Sequence, residues 1–319
     1  MLYVPKVVIT DYGFPSVSIE RQIIEAAGGE LAAFHCKNES DVIAATADAD
    51  AVIVQWAPIT REVIQLLRKC KVIVRYGIGI DNIDLEAARS RGIAVCNVPN
   101  YCIDEVADHT LALALSLSRQ LPAIDRQVRQ GIWKIVPPRP MPASRQMNFV
   151  TIGCGRIARA VLGRAKECKF ALATYDPYLP PGSELSDGIR RLDMDEALST
   201  ADILSLHLPL SADTRHLINA ATLSKMKPTS ILVNTARGGL VDTIALAAAL
   251  ENGQIAGAGI DVFEHEPLGD DHPLKQCANA LLTSHVSWYS ELSVPELQRL
   301  AAEEAARAIR GGQLENRVA

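Results

Sequence analysis

Short apolar runs alternate with helix-length segments along most of this chain. Val7-Val8-Ile9-Thr10 precedes a helical stretch from Ser18 to Ala27, and the whole N-terminus from Met1 reads into this first strand. Ala51-Val52-Ile53-Val54 precedes a helix from Thr60 to Lys69. Lys71-Val72-Ile73-Val74 leads to a short helix at Leu85–Ala88 and then to Ile93-Ala94-Val95. Apolar runs of four or so residues between helical segments are the signature of βα units, with parallel strands buried on both faces. A long Ala/Leu-rich helix is predicted from about Asp104 to Gln120, apolar enough for burial on several sides. The prolines of Ile135–Ser144 then exclude a regular helix. The alternation restarts at Phe149-Val-Thr-Ile152 and continues through Ala171–Tyr175, Ile203–Leu208, Ile231–Asn234, Ala258–Ile260 and Ala280–Thr283. A last helix runs from about Val294 to Arg310.

At 319 residues the chain is long enough for two domains. The second block has the size of one dinucleotide-binding domain, and the first is a smaller α/β domain. Charge and composition mainly exclude. A net charge of −5 gives no general attraction to nucleic acid or anionic membrane. No apolar run approaches the roughly 18 residues that span a bilayer, and the N-terminus lacks a signal peptide's basic start and cleavage site. The cysteines at 36, 70, 96, 102, 154, 168 and 277 are odd in number and form no Cys-x-x-Cys pair. A reduced, cytoplasmic compartment without a metal site is the simplest expectation.

Chemistry concentrates at strand ends. Gly153-Cys-Gly155-Arg156-Ile157-Ala158 follows one strand and opens a helix. The first glycine permits a tight turn, the second lets backbone approach a pyrophosphate, and the small Ala158 lets helix and strand pack closely. Asp176 ends the next strand about 20 residues on, where an acid binds a ribose 2′-hydroxyl and repels a 2′-phosphate. That favours NAD over NADP, although a turn aspartate before Pro177 would look the same.

Three further residues suit redox chemistry at oxygen: Arg237 in Asn-Thr-Ala-Arg-Gly-Gly, Glu266 in Asp-Val-Phe-Glu-His-Glu-Pro, and His285 in Thr-Ser-His-Val-Ser-Trp. Reducing a carbonyl by hydride leaves charge on oxygen, which an imidazole can protonate near neutral pH. A carboxylate on the other ring nitrogen fixes the tautomer and favours the imidazolium, and a guanidinium can hold a substrate carboxylate. Of the seven histidines, His285 alone follows a strand where the ligand-binding edge of a parallel sheet should lie. His207 ends a strand before Pro209, and His109 lies on the long apolar helix. Each of the three also has a plainer reading: a structural histidine, a surface acid, and a surface cation beside a glycine turn.

Together these motifs resemble the D-isomer-specific 2-hydroxyacid dehydrogenase family. Those carrying the likeness are Val74-Arg75-Tyr-Gly77-Ile78-Gly79-Ile-Asp-Asn82, Gly153–Ala158, His207-Leu208-Pro209-Leu, Asn234-Thr235-Ala236-Arg237-Gly-Gly-Leu-Val-Asp242, Gly259-Ile-Asp261-Val-Phe-Glu-His-Glu-Pro267 and Ser284-His285, in family order. The resemblance implies two Rossmann-like domains with parallel sheets and the active site in the interdomain cleft. Residues 1–102 with 291–319 would bind substrate, and 103–290 would bind dinucleotide. It implies His285 as proton donor, Glu266 as its partner and Arg237 on the substrate. Gly153, Gly155, Arg156, Ile157, Asp176, His207, Leu208, Pro209, Thr214, Thr235, Ala236 and Asp261 would line NAD. The backbone of Gly77-Ile78-Gly79 would take the substrate carboxylate.

A nearer likeness, in Val74-Arg75, Gly92–Pro99 and His285-Val-Ser-Trp-Tyr-Ser-Glu291, is to the carboxy-terminal binding protein branch, where Arg75 and Trp288 would face the substrate. Trp288 could equally be a core or hinge aromatic. The chain departs from the family pattern at Cys154, at Ala158 and in the 143–148 segment before the loop. The implied activity interconverts a small 2-oxo acid and its D-2-hydroxy acid, in a homodimer formed through the helix from Asp104 and the proline-rich segment. An NAD(H)-sensing co-repressor-like protein and a D-3-phosphoglycerate dehydrogenase are the alternatives.

Overall fold

A computed structural model describes residues 3–137, 139–179 and 188–319. Met1 and Leu2 of the expected first strand, and Pro138 of the proline-rich stretch, lie outside the described residues. The chain divides into two compact units, 1–101 with 289–319, and 102–288.

The first unit begins β1 (Lys6–Ile9), α1 (Ser18–Ala26), β2 (Glu30–Ala33), α2 (Glu39–Thr46), β3 (Ala51–Val54), α3 (Arg61–Leu66), β4 (Val72–Arg75), α4 (Leu85–Ser90) and β5 (Ala94–Cys96). All its strand pairings are parallel, in the order β2-β1-β3-β4-β5. The inner strands are the apolar runs, and β3 is buried at every residue. The helices start where side chains can cap them: Asn38, Thr60 and Asp84 each accept a backbone N–H of the first turn. β2 and α2 are absent from the apolar pattern. β2 is an edge strand with one buried residue, and α2 buries only Val42 and Thr46.

The second unit holds α5 (Ile103–Ser118), α6 (Leu121–Arg129), β6 (Asn148–Ile152), α7 (Arg156–Glu167), β7 (Ala171–Tyr175), β8 (Arg190–Arg191), α8 (Met194–Thr200), β9 (Ile203–Leu206), α9 (Ala220–Leu223), β10 (Ile231–Asn234), α10 (Thr243–Glu251), β11 (Gly257–Ile260) and β12 (Ala280–Leu282). Its sheet is parallel in the order β12-β11-β10-β9-β6-β7-β8. The order reverses direction between β6 and β9, which opens a crevice at their carboxyl ends. Long helix α5 buries one face, Val106, Ala107, Thr110, Leu113, Ala114 and Leu117, while Asp104 and Asp108 are exposed. The expectation of burial on several sides is therefore corrected within this chain: the buried positions follow one helical stripe. α5 lies close on β11 because Gly259 has no side chain; a β-carbon there would stand 2.9 Å from the Leu113 Cβ.

The last helix, α11 (Ser293–Ile309), belongs to the first unit and packs against α1, β3 and β4. Gln298 on it donates to both oxygens of fully buried Glu20, at 2.9 and 3.0 Å. Tyr76, which follows β4, donates to the same carboxylate at 2.7 Å. This buried polar cluster ties the returning C-terminus to the strand end that carries Arg75 and Gly77.

Candidate active site

In the second unit the crevice begins at Gly153. Its φ is +100°, and a β-carbon would stand 2.5 Å from the His207 carbonyl oxygen, so glycine is required here on two counts. Gly155 is exposed with nothing within 4 Å of its β-carbon position, and it caps α7 with no side-chain hydrogen bond. The first amides of α7 thus face open space at the positive end of a helix dipole. Arg156 adds a cation in that first turn, unfavourable to the dipole alone and suited to a bound anion. Asp176 closes the loop: one carboxylate oxygen accepts the Cys154 amide at 2.8 Å and the other the Tyr178 amide at 2.9 Å. The acid and the glycine turn form one unit, a cradle of the shape and charge that a dinucleotide pyrophosphate and ribose need.

Across the crevice, β9 is followed by His207, whose Nε2 lies 2.9 Å from the Ser205 hydroxyl. Burial pulls the imidazole down to about 3, so it is neutral at physiological pH. Thr214 folds the following turn, donating to the Pro209 carbonyl and accepting the Ser211 amide, both at 2.8 Å. That turn carries Leu208 and Pro209 beside Gly153; the Leu208 side chain would lie 3.2 Å from a β-carbon on that glycine.

β10, β11 and β12 bring the three catalytic candidates to neighbouring strand ends. After β10, the buried Asn234 side chain accepts the Ala236 amide and donates to the Arg237 carbonyl, folding Thr235-Ala236-Arg237 into a tight turn. Gly238 then passes so close to the segment after β11 that a β-carbon would stand 1.9 Å from the Phe263 carbonyl carbon. The Arg237 turn and the Glu266 segment are thereby packed together. Glu266 accepts the Phe263 amide on one oxygen at 2.8 Å, which aims the other at His285 Nδ1, 2.7 Å away. Both side chains remain about one-third exposed, leaving Nε2 of His285 as the ring nitrogen available for proton transfer.

Asp261, expected to line the cofactor, directly follows β11. It is fully buried, and its carboxylate accepts the Thr283 hydroxyl at 2.6 Å and the Val286 and Ser287 amides at 3.0 Å. Burial pushes its pKa up, but these hydrogen bonds prevail and hold it below the usual carboxylate value. Asp261 therefore shapes the loop that presents His285. Trp288 also acts on this loop, donating from Nε1 to the His285 carbonyl at 2.8 Å. Two residues that strand and helix patterns did not single out join the network: Thr283, and Thr110 on α5, whose hydroxyl lies 2.8 Å from that of Thr235. The available signal was a His-Thr pair placed just ahead of the apolar run Leu111–Leu115.

In the first unit, Arg75 ends β4 and its guanidinium lies over Gly77, where a β-carbon would stand 1.7 Å from Nη1. The Gly77 and Ile78 carbonyls are taken by Val98 and Asn97. Among the described residues the Ile78 and Gly79 amides meet no protein acceptor, so this turn presents two N–H donors beside a cation. No group of three or more metal-ligating side chains occurs among the described residues, and no helix there is long and apolar enough to cross a membrane.

Two α/β units with parallel sheets, one with a dinucleotide-type crevice and a paired imidazole and carboxylate, define the class. The chain belongs to the D-isomer specific 2-hydroxyacid dehydrogenases: that family's NAD binding domain matches residues 111–287. Among proteins of known activity it is 38% identical over 273 residues to the D-3-phosphoglycerate dehydrogenase of Mycobacterium bovis, covering 84% of this chain. The chain spans about half the length of such curated relatives, 50% in this case. A glyoxylate reductase structure from Paecilomyes thermophila superposes with a TM-score of 0.89 at 28% identity, covering 99% of this chain and 98% of that one. A D-lactate dehydrogenase from Aquifex aeolicus, complexed with NAD and lactic acid, has a TM-score of 0.86 at 26% identity, with 96% of each chain covered.

Proposed function

We propose that this protein is an NAD-dependent oxidoreductase that interconverts a small 2-oxo acid and the D-2-hydroxy acid. The single observation that carries the reading is the 2.7 Å His285–Glu266 pair beside the Arg237 turn, in the same unit as the dinucleotide crevice. When bound, the nicotinamide supplies or accepts the hydride. Gly153, Gly155, Arg156 and Ile157 would hold the pyrophosphate at the head of α7, and Asp176 would take the ribose hydroxyls. His207, Leu208, Pro209, Thr214, Thr235 and Ala236 would line the remainder. Asp261 would act there by holding its loop.

His285, held as imidazolium by Glu266, gives its Nε2 proton to the carbonyl oxygen during reduction and takes it back during oxidation. Arg237 polarises that oxygen and grips the substrate carboxylate. In the first unit, the Ile78 and Gly79 amides beside Arg75 would offer donors to a carboxylate, and in the second unit Trp288 would border the variable end of the substrate. A panel of 2-oxo acids assayed by loss of NADH absorbance, with NADPH as control, tests the reading. Reduction of at least one member, with a preference for NADH, is expected. No turnover of any member would end it.

The likeness to D-3-phosphoglycerate dehydrogenase favours a second substrate within the same reaction, so a phosphorylated 2-oxo acid belongs in the panel. A homodimer is part of the proposal. None of α6 is buried, and Leu121, Val128, Ile132, Trp133, Ile135 and Val136 are exposed, an apolar strip that a second copy would cover. A monomer in sedimentation would remove that part. A cytoplasmic site of action suits the seven free cysteines.

A further inference from the structure

Resting on the reading above, we propose that His109 is a positioning residue that, through the Thr283 hydroxyl, locks the Asp261-centred loop presenting His285. In the sequence it looks like a stray polar residue on an apolar helix. In the structure its Nε2 lies 3.0 Å from Thr283 Oγ1, and that oxygen lies 2.6 Å from Asp261 Oδ1. A threonine hydroxyl has one proton, and the short contact to a buried carboxylate claims it. Towards His109 the oxygen can then only accept, so Nε2 of His109 carries the proton. The chain of donation runs from imidazole to hydroxyl to carboxylate, and the carboxylate gathers the Val286 and Ser287 amides.

The loop needs such restraint. His285 sits at φ +56°, a left-handed conformation that costs a residue with a β-carbon. It is gripped on both sides: its amide donates to the Asp261 carbonyl at 2.7 Å, and its carbonyl accepts Trp288 Nε1. If the Asp261 carboxylate turns, both loop amides after His285 lose their acceptor together. His109 and Thr283 hold it from turning. The neighbouring Thr110 contacts Thr235 just before Arg237, so one turn of α5 braces the ends of β10 and β12, which lead to Arg237 and His285. His109 is one-quarter exposed and touches no residue of the proposed proton transfer, so its effect passes through the loop.

The test compares His109→Leu, close in size but without the N–H, with His109→Gln, whose amide can donate from a similar reach. Hydrogen exchange is measured on the ligand-free protein across residues 284–289, and turnover on the best 2-oxo acid. In His109→Leu the Val286 and Ser287 amides are expected to exchange about tenfold faster, the scale of one lost hydrogen bond, and kcat to fall about tenfold. Substrate KM and NADH affinity should stay within about threefold. His109→Gln should return exchange and kcat to within about threefold of the parent, at a Tm matching that of His109→Leu. Unchanged exchange at 286–287 in His109→Leu overturns the proposal, as does a glutamine variant as impaired as the leucine one. Absence of turnover in the parent would instead remove the functional reading, and the exchange measurement would still decide the role of His109.

Discussion

Two strand ends of the second sheet carry histidines in opposite electrostatic settings. His207, after β9, is partly buried, hydrogen-bonded to Ser205 with no carboxylate partner among the described residues, and held neutral by desolvation, with a pKa of about 3. His285, after β12, is part-exposed with a carboxylate 2.7 Å from Nδ1. Both follow an apolar run and both lie at the carboxyl end of a strand of the second sheet. The difference shows that a strand-end position decides only where a histidine stands. Its neighbours decide whether it can carry a proton.

Replacing the two histidines should give the largest contrast. His285→Ala should lower kcat by about 10³-fold, within the range for a lost general acid, with NADH affinity nearly unchanged. His207→Ala should cost only a few-fold in kcat and act mainly on NADH affinity. Steady-state kinetics with NADH titrations would show it; equal losses of kcat would erase the contrast.

Gly153→Ala probes the ground beside His207. The added methyl meets the His207 carbonyl at 2.5 Å in a left-handed conformation, so a loss of about 1–3 kcal/mol in stability and a collapse of NADH binding are expected. Thermal unfolding with and without NADH measures both. Glu266→Gln probes the other end. Without the carboxylate the Nδ1 proton loses its charged acceptor 2.7 Å away, so reduction should slow about tenfold at neutral pH. An unchanged rate of reduction would show that Glu266 does not position His285.

The smallest effect is a pH dependence of folding assigned to His207. Its folded pKa lies below the ordinary imidazole value of 6.5, so the unfolded chain binds the proton more readily. Stability that is full above pH 6.5 should therefore fade as pH drops towards 3. From pH 7 to 5 the loss should be on the order of 1–2 kcal/mol. His207→Asn should flatten that part of the Tm–pH curve. An identical slope in the variant would place the pH dependence elsewhere.

The inner strands and main helices were legible because burial on both faces of a parallel sheet demands unbroken apolar runs, as in β3 and β9. Edge elements were not: β8 spans only Arg190–Arg191, too short for a pattern, and α2 buries only Val42 and Thr46. The glycine turns were legible for a steric reason, since Gly153 and Gly238 stand where no β-carbon fits. Asp261 and Thr283 were harder to read. An acid inside Ile-Asp-Val and a threonine at a strand end show nothing of the hydrogen bonds they share until β11 and β12 lie side by side.

By itself the sequence determined the α/β class and the glycine turn after β6, and it offered Arg237, Glu266 and His285 as candidates near strand ends, because periodicity, steric need and residue chemistry are local properties. Only the tertiary structure decided how those residues are held: the Glu266 oxygen aimed by the Phe263 amide, the left-handed His285 clamped through Asp261 and Trp288, and His109 braced on Thr283. These are contacts between elements far apart in the chain. Direction and distance in a hydrogen bond arise only when folding fixes both partners.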